Sequence, residues 1–294
     1  MRIGIDLGGT KIAGIALAEN GKIICRRRSP TPQGDYPATI KTIQTMVADL
    51  EKEAGKAHSV GIGTPGALNP TTGTIKNANS TCLIGHPLQA DLAQTLGRSV
   101  KLANDADCFT LSEATDGAAA GAKTVFGVIL GTGVGGGVVI NGQLLQGPNA
   151  IVGEWGHNPL PWPRPDELPG PDCYCGKQGC IESFCSGPGV VRDYGQPAIK
   201  TVQEIVTSAE DGNEQAKITL QRHCDRLARA LAVVVNILDP EVIVMGGGLS
   251  NLTHLYEDIP KIWGRYIFSD SVLTRLLPPK FGDSSGVRGA AWLT

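Results

Sequence analysis

Apolar residues in this chain repeat one plan twice. Ile3, Ile5 and Leu7 open a short apolar strand that runs into Gly8-Gly9-Thr10-Lys11, an apolar run over 12–17, an Asn20-Gly21 turn and a third run over 22–25. Residues 125–130 lead likewise into a glycine-rich stretch over 131–137, then Val138-Val139-Ile140, an Asn141-Gly142 turn and residues 143–145. Asn-Gly between apolar runs is a strong hairpin signal, because both positions tolerate positive φ. The pattern predicts a duplicated unit of strand, glycine loop, strand, hairpin and strand.

Elsewhere the period changes from strand to helix. Tyr36, Ile40, Ile43, Val47 and Leu50 share one helical face, as do Leu220, Cys224, Leu227, Leu231, Val234 and Leu238 ahead of Asp239-Pro240. Residues 60–63, 100–103 and 242–245 read as short buried strands. Strands alternating with helices predict an α/β architecture, and the duplication predicts two related lobes facing a cleft. The first lobe is expected over residues 1–118, with 286–294 packing back on it; the second over 119–285, with 158–171 a proline-rich loop.

Composition narrows the function. The formal net charge is -2, so the chain has no electrostatic footprint for nucleic acid or an anionic membrane. Arg26-Arg27-Arg28 reads as a solvated edge strand. No apolar run reaches the length of a membrane span or a signal segment, and a reducing cytoplasm is the expected home.

The first glycine loop offers Asp6, Gly8, Gly9, Thr10 and Lys11 in one turn: a carboxylate, unobstructed main chain, a hydroxyl and an ammonium. That set suits phosphate oxygens with a hydrated Mg²⁺. Gly131, Gly133 and Gly136 have the spacing of a dinucleotide fingerprint, but that fingerprint needs a following helix and strand residues follow here. Phosphates of a nucleoside triphosphate, held by Gly131-Thr132-Gly133 and the first loop, are the better expectation. Gly247 reads either as a close approach to the adenosine or as a simple strand-to-helix turn.

His157, Cys173, Cys175 and Cys180 provide one imidazole and three thiolates, a closed shell for a structural Zn²⁺. Disulfide pairing and core packing are the alternatives, and core packing is the expectation for Cys25, Cys82, Cys108, Cys185 and Cys224. Asn79, Asn104, Glu154, His157 and Glu182 offer groups that can hydrogen-bond several sugar hydroxyls. Asp105, just after a strand, reads either as a general base for an attacking alcohol or as a helix N-cap.

These stretches together resemble the ROK family of sugar kinases and regulators, along essentially the whole chain. Residues 6–11 resemble its first phosphate motif, Asn104-Asp105 its base motif, 130–137 its second phosphate loop, and Glu154-Trp155-Gly156-His157 with 173–182 its sugar and zinc signature. The resemblance implies a two-lobed, actin-like ATPase fold of the hexokinase, ribonuclease H-like type with a central cleft. It further implies ATP and Mg²⁺ in the cleft, Asp105 as base, and Asn104, Glu154, His157 and Glu182 on the sugar. A homodimer is implied as well.

Within the family, residues 76–81, 156–162 and 282–292 are most similar to bacterial fructokinases of the mannokinase type. The expected activity is ATP-dependent phosphorylation of a hexose, at O6, with fructose preferred and mannose or glucose also accepted. N-acetylglucosamine kinase or glucokinase is the alternative. A sugar-sensing regulator is the rival from another class; Asp6 falls too early for a preceding DNA-binding domain, and a sensor has no need of Asp105.

Overall fold

The computed structural model describes residues 1–78 and 80–293; Asn79, one of the expected sugar ligands, lies outside the described residues. In chain order come β1 (Arg2–Leu7), β2 (Lys11–Leu17), β3 (Ile23–Pro30), α1 (Tyr36–Ala54), β4 (Ser59–Thr64), a small ribbon of β5 (Ala67–Leu68) and β6 (Ile75–Lys76), α2 (Leu88–Leu96), β7 (Lys101–Asn104) and α3 (Asp105–Thr115). There follow β8 (Thr124–Leu130), β9 (Val134–Ile140), β10 (Gln143–Leu144), α4 (Ile181–Cys185), α5 (Gly187–Tyr194), α6 (Val202–Glu210) and α7 (Glu214–Leu238). The last elements are β11 (Val242–Gly246), α8 (His254–Trp263), β12 (Arg275–Leu277) and α9 (Ser285–Trp292).

The duplication is visible in the topology. One sheet has the order β3-β2-β1-β4-β7 and the other β10-β9-β8-β11-β12, so each begins with an antiparallel meander and continues on its far side with strands parallel to its first. The α/β fold is of the actin-like, hexokinase-type kind. Two compact units are present: Met1–Gly121 with Gly137–Val152 and the segment from Lys280 onward, and Ala122–Gly136 with Gly153–Pro279. The hairpin segment Gly137–Val152, expected in the second lobe, is in the first unit, and the returning C-terminal segment starts at Lys280 instead of Gly286.

The two Asn-Gly turns differ. Asn141 and Gly142 both take positive φ and join the directly paired Ile140 and Gln143, a two-residue hairpin. At Asn20-Gly21 only Gly21 has positive φ, and a longer loop joins Leu17 to Ile23 beside a register shift at Ala16/Leu17.

In the first unit the pleat of β2 sorts side chains to two cores. Ile12 and Ala16 join the cluster that includes Ile43, Val47 and Leu50 of α1, while Ala13, Ile15 and Leu17 pack with Val287 and Ala291 of α9. A Cβ on Gly4 or Gly61 would fall 2.2 or 1.9 Å from the carbonyl oxygens of Val287 and Ala290. Only glycine lets α9 lie so close to β1 and β4. The Asp35 carboxylate caps α1 by accepting from the Ala38 N–H.

In the second unit α7 starts at an Asn213 cap and stops where Asp239 turns left-handed before Pro240. Its buried face holds Cys224, Leu227 and Leu231 but then Val235, where the sequence stripe predicts Val234. A strict alternation of fours and threes drifts from the 3.6-residue turn, so the last contact slips by one position. Among the described residues no helix is long and apolar enough to cross a membrane.

Candidate functional site

In the first unit, the loop after β1 is held from behind. Gly8 N–H donates to the Lys11 carbonyl at 3.1 Å, Thr31 Oγ1 to the Gly8 carbonyl at 2.7 Å, Gln33 Nε2 to the Gly9 carbonyl at 2.6 Å and Thr31 N–H to the Thr10 carbonyl at 3.0 Å. In a trans peptide the next N–H points opposite to the carbonyl. The N–H groups of Gly9, Thr10 and Lys11 therefore point away from residues 31–33, in a loop whose residues 9–11 are exposed. Thr31 and Gln33 escape a sequence reading because each acts through a main-chain carbonyl, which no motif records.

Asp6 sits near the end of β1, and Asp105 directly follows β7, two strands away across β4. Burial raises Asp6 to about 6, the Asp105 charge adds to this, and Lys11 opposes it. Desolvation by the surrounding protein also raises the pKa of Asp105, although the residue keeps an exposed surface, and the N–H groups of Ala106 and of its own residue oppose the rise. The N-cap reading of Asp105 is corrected. Asn104 caps α3, its Oδ1 accepting from Asp107 N–H at 2.6 Å, and Asp105 is the first helical residue. Asn104 thereby commits its oxygen and retains its amide NH₂ as a donor.

In the second unit, the loop after β8 is tied to α5, since Gly187 N–H donates to the Gly131 carbonyl at 2.8 Å. Gly131 and Thr132 line a cavity of about 860 Å³ together with Pro188, Val191, Ile199 and Leu249. Gly248 also lines it, whereas Gly247, at φ 81°, serves close packing: a Cβ there would lie 2.4 Å from the Leu130 carbonyl. The sequence reading missed Pro188, Val191 and Ile199, because an apolar pocket wall looks like any core residue in one sequence.

Gly133 and Glu182 are in close contact. Glu182 Oε2 accepts from Val134 N–H at 2.9 Å, so the carboxylate reaches the second glycine loop. Glu154, exposed, precedes the 3₁₀ turn Trp155–His157, which Trp155 pins by donating from Nε1 to the Gly135 carbonyl at 2.9 Å.

The donor atoms of His157, Cys173, Cys175 and Cys180 all lie within 4.8 Å of one another. Cys175 Sγ is 3.6 Å from Cys180 Sγ, and Cys173 Sγ is 3.6 Å from His157 Nδ1. A tetrahedron with Zn–S bonds of about 2.3 Å and Zn–N of about 2.0 Å has edges of about 3.8 and 3.5 Å. The cluster fits that shell. Burial and the neighbouring sulfurs push Cys180 up to about 12, whereas the Lys177 N–H lowers Cys175, so the sulfurs share charge poorly without a cation. All eight cysteines are free, and Cys25, Cys108, Cys185 and Cys224 are buried.

The proline-rich loop between His157 and Cys173 of this cluster is anchored to α7. Glu167 is buried and accepts from Arg226 Nε at 2.8 Å and from Arg229 Nη1 and Nη2 at 2.9 and 2.8 Å. Arg229 Nη1 also donates to the Pro161 and Trp162 carbonyls.

The family model of the ROK family matches residues 2–294. The chain belongs to the ROK family. It is 39% identical over 300 residues to an N-acetyl-D-glucosamine kinase of Yersinia enterocolitica, covering 100% of this chain and 99% of that one. Among solved structures it is similar to the ROK hexokinase of Thermus thermophilus, with a TM-score of 0.89 and 30% identity over 100% of this chain and 97% of that one. A ROK family glucokinase from Streptomyces griseus, solved with glucose and AMPPNP, has a TM-score of 0.79 and 28% identity over 100% of this chain and 98% of that one. This ROK family chain thus shares its full length with sugar kinases.

Proposed function

We propose that this ROK family sugar kinase transfers the γ-phosphoryl group of ATP to a hexose hydroxyl, O6, with Asp105 as general base. The observation that carries the reading is that Asp6 feels the charge of Asp105, at the end of β1 where the exposed glycine loop 8–11 begins with its carbonyls tied to residues 31 and 33. The N–H groups of residues 9–11 hold phosphate oxygens, and Thr10 and Lys11 add a hydroxyl and a positive charge. Asp6 would hold a Mg²⁺ that would offset phosphate charge. Asp105 takes the alcohol proton as the oxygen bonds to phosphorus and ADP departs. Its raised pKa brings it closer to the proton it accepts, and a loose transition state asks more for position than basicity.

In the second unit, the cavity beside Gly131 and Thr132 takes the adenosine, with Pro188, Val191, Ile199 and Leu249 against the base. Glu154, His157 and Glu182 bind sugar hydroxyls, joined by Asn104 and Asn79. His157, Cys173, Cys175 and Cys180 would hold a Zn²⁺ that would fix the loop and the imidazole tautomer. The kinase is proposed to work in a reducing compartment, where these thiolates persist, and as a homodimer, which light scattering tests.

For the acceptor, full-length kinship with N-acetyl-D-glucosamine kinases supports N-acetylglucosamine over fructose. Fructose is the second reading, carried by the fructokinase-like stretches 76–81, 156–162 and 282–292. Coupled ADP release with N-acetylglucosamine, fructose, mannose and glucose tests both levels. The rate-favoured sugar identifies the acceptor, and no sugar-dependent ADP with any hexose rejects the kinase in favour of a non-catalytic sensor.

A further inference from the structure

The two ring nitrogens of His157 have different neighbours. Nδ1 belongs to the metal-ligand cluster, while Nε2 lies 3.0 Å from the Tyr174 hydroxyl. The rings meet edge-on, 5.1 Å between centroids at 89°. Tyr174 is 82% exposed, so little packing holds its side chain. Its main chain is fixed, however, between Cys173 and Cys175, two members of the cluster. Such a side chain can swing only about its own χ angles. With a metal on Nδ1, the ring proton is on Nε2, and that N–H donates to the phenol oxygen.

We infer that Tyr174 caps His157: its hydroxyl stands where a sugar oxygen must come to receive the Nε2–H bond, and the sugar binds by displacing it. The inference rests on the sugar-kinase reading, in which His157 donates to the acceptor. Tyr174 is thus a positioning residue. It keeps the imidazole satisfied and correctly aimed between turnovers, and it subtracts its own hydrogen bond from the affinity for sugar.

The test is sugar binding by calorimetry without nucleotide, on zinc-loaded wild type and Tyr174→Phe, with NMR of ¹⁵N-labelled histidine. Tyr174→Phe keeps the ring and removes only the hydroxyl. A net hydrogen bond is worth about 0.5–1.5 kcal/mol, so the variant binds the sugar about 2- to 10-fold more tightly. The His157 Nε2–H resonance shifts between the two proteins in the sugar-free state and coincides once sugar is bound. Equal or weaker binding by Tyr174→Phe, or identical sugar-free resonances, overturns the cap while leaving the kinase reading intact. Wild type that retains zinc but binds no hexose overturns the kinase reading, and the cap with it.

Discussion

The Oε2 atom of Glu182 lies 2.7 Å from the point where a Cβ on Gly133 would stand. Contact that short is not tolerated, so the second glycine loop and the carboxylate after the cysteine motif are fitted to one another. Gly133→Ala is expected to push Glu182 aside and break its bond from Val134 N–H. Steady-state kinetics should show the sugar KM raised about tenfold, in line with a lost hydrogen bond to a charged group. An unchanged sugar KM would separate Glu182 from the sugar.

Asp105→Asn keeps the size and the first-turn position of the side chain and removes the proposed base. Asn104 still caps α3, so thermal stability should change little. The expected loss in kcat is about 10²- to 10⁴-fold, the ordinary contribution of a positioned acid or base. Near-wild-type kcat would show that another group takes the proton.

Asp6 gives the free protein a distinct pH dependence. Its carboxyl is near 6 in the fold against 3.8 when unperturbed, so the folded state holds the extra proton between those values. Stability from this group is full below about pH 4 and is lost as pH rises through 6. Asp6→Asn should remove that slope and raise stability at pH 7 by about 2 kcal/mol, measured by denaturant melts without nucleotide or metal. Phosphate-transfer activity should fall in the same variant.

Metal removal is a second handle on the second unit. If the cluster holds zinc as proposed, a strong chelator, or Cys180→Ser, should release one zinc per chain, lower the melting temperature and weaken sugar binding together, because such a metal would order the segment that carries His157 and leads to Glu182. Metal analysis with calorimetry checks the coupling. Full sugar affinity in zinc-free protein would refute it.

Glu167→Ala leaves the buried Arg226 and Arg229 without their shared partner. Removing one member of a buried ion pair costs about 3–5 kcal/mol. Burial alone would raise the Glu167 carboxyl, but Arg229, the Arg164 N–H and Arg226 outweigh it and hold it at about 2. Its stabilisation is therefore present above about pH 4.5 and lost as pH falls toward 2, a slope that acid melts should find in wild type and miss in Glu167→Gln.

Much of this protein is decided locally and was legible as sequence. The duplicated strands, the glycine loops, the refusal of 131–136 to be a dinucleotide fingerprint and the stop of α7 at Asp239-Pro240 each depend on neighbours in the chain. The Cys₃His cluster was equally readable, since three of its four ligands fall within one short turn. Tertiary packing decided the rest. It chose Asn104 over Asp105 as the cap, placed the hairpin segment Gly137–Val152 in the first unit, and brought Thr31 and Gln33 behind the first glycine loop. It also set Tyr174 against His157 and Glu167 between two arginines. Those outcomes depend on contacts between residues far apart in sequence, or on which of two adjacent polar groups reaches a given N–H, and neither composition nor spacing encodes such distances.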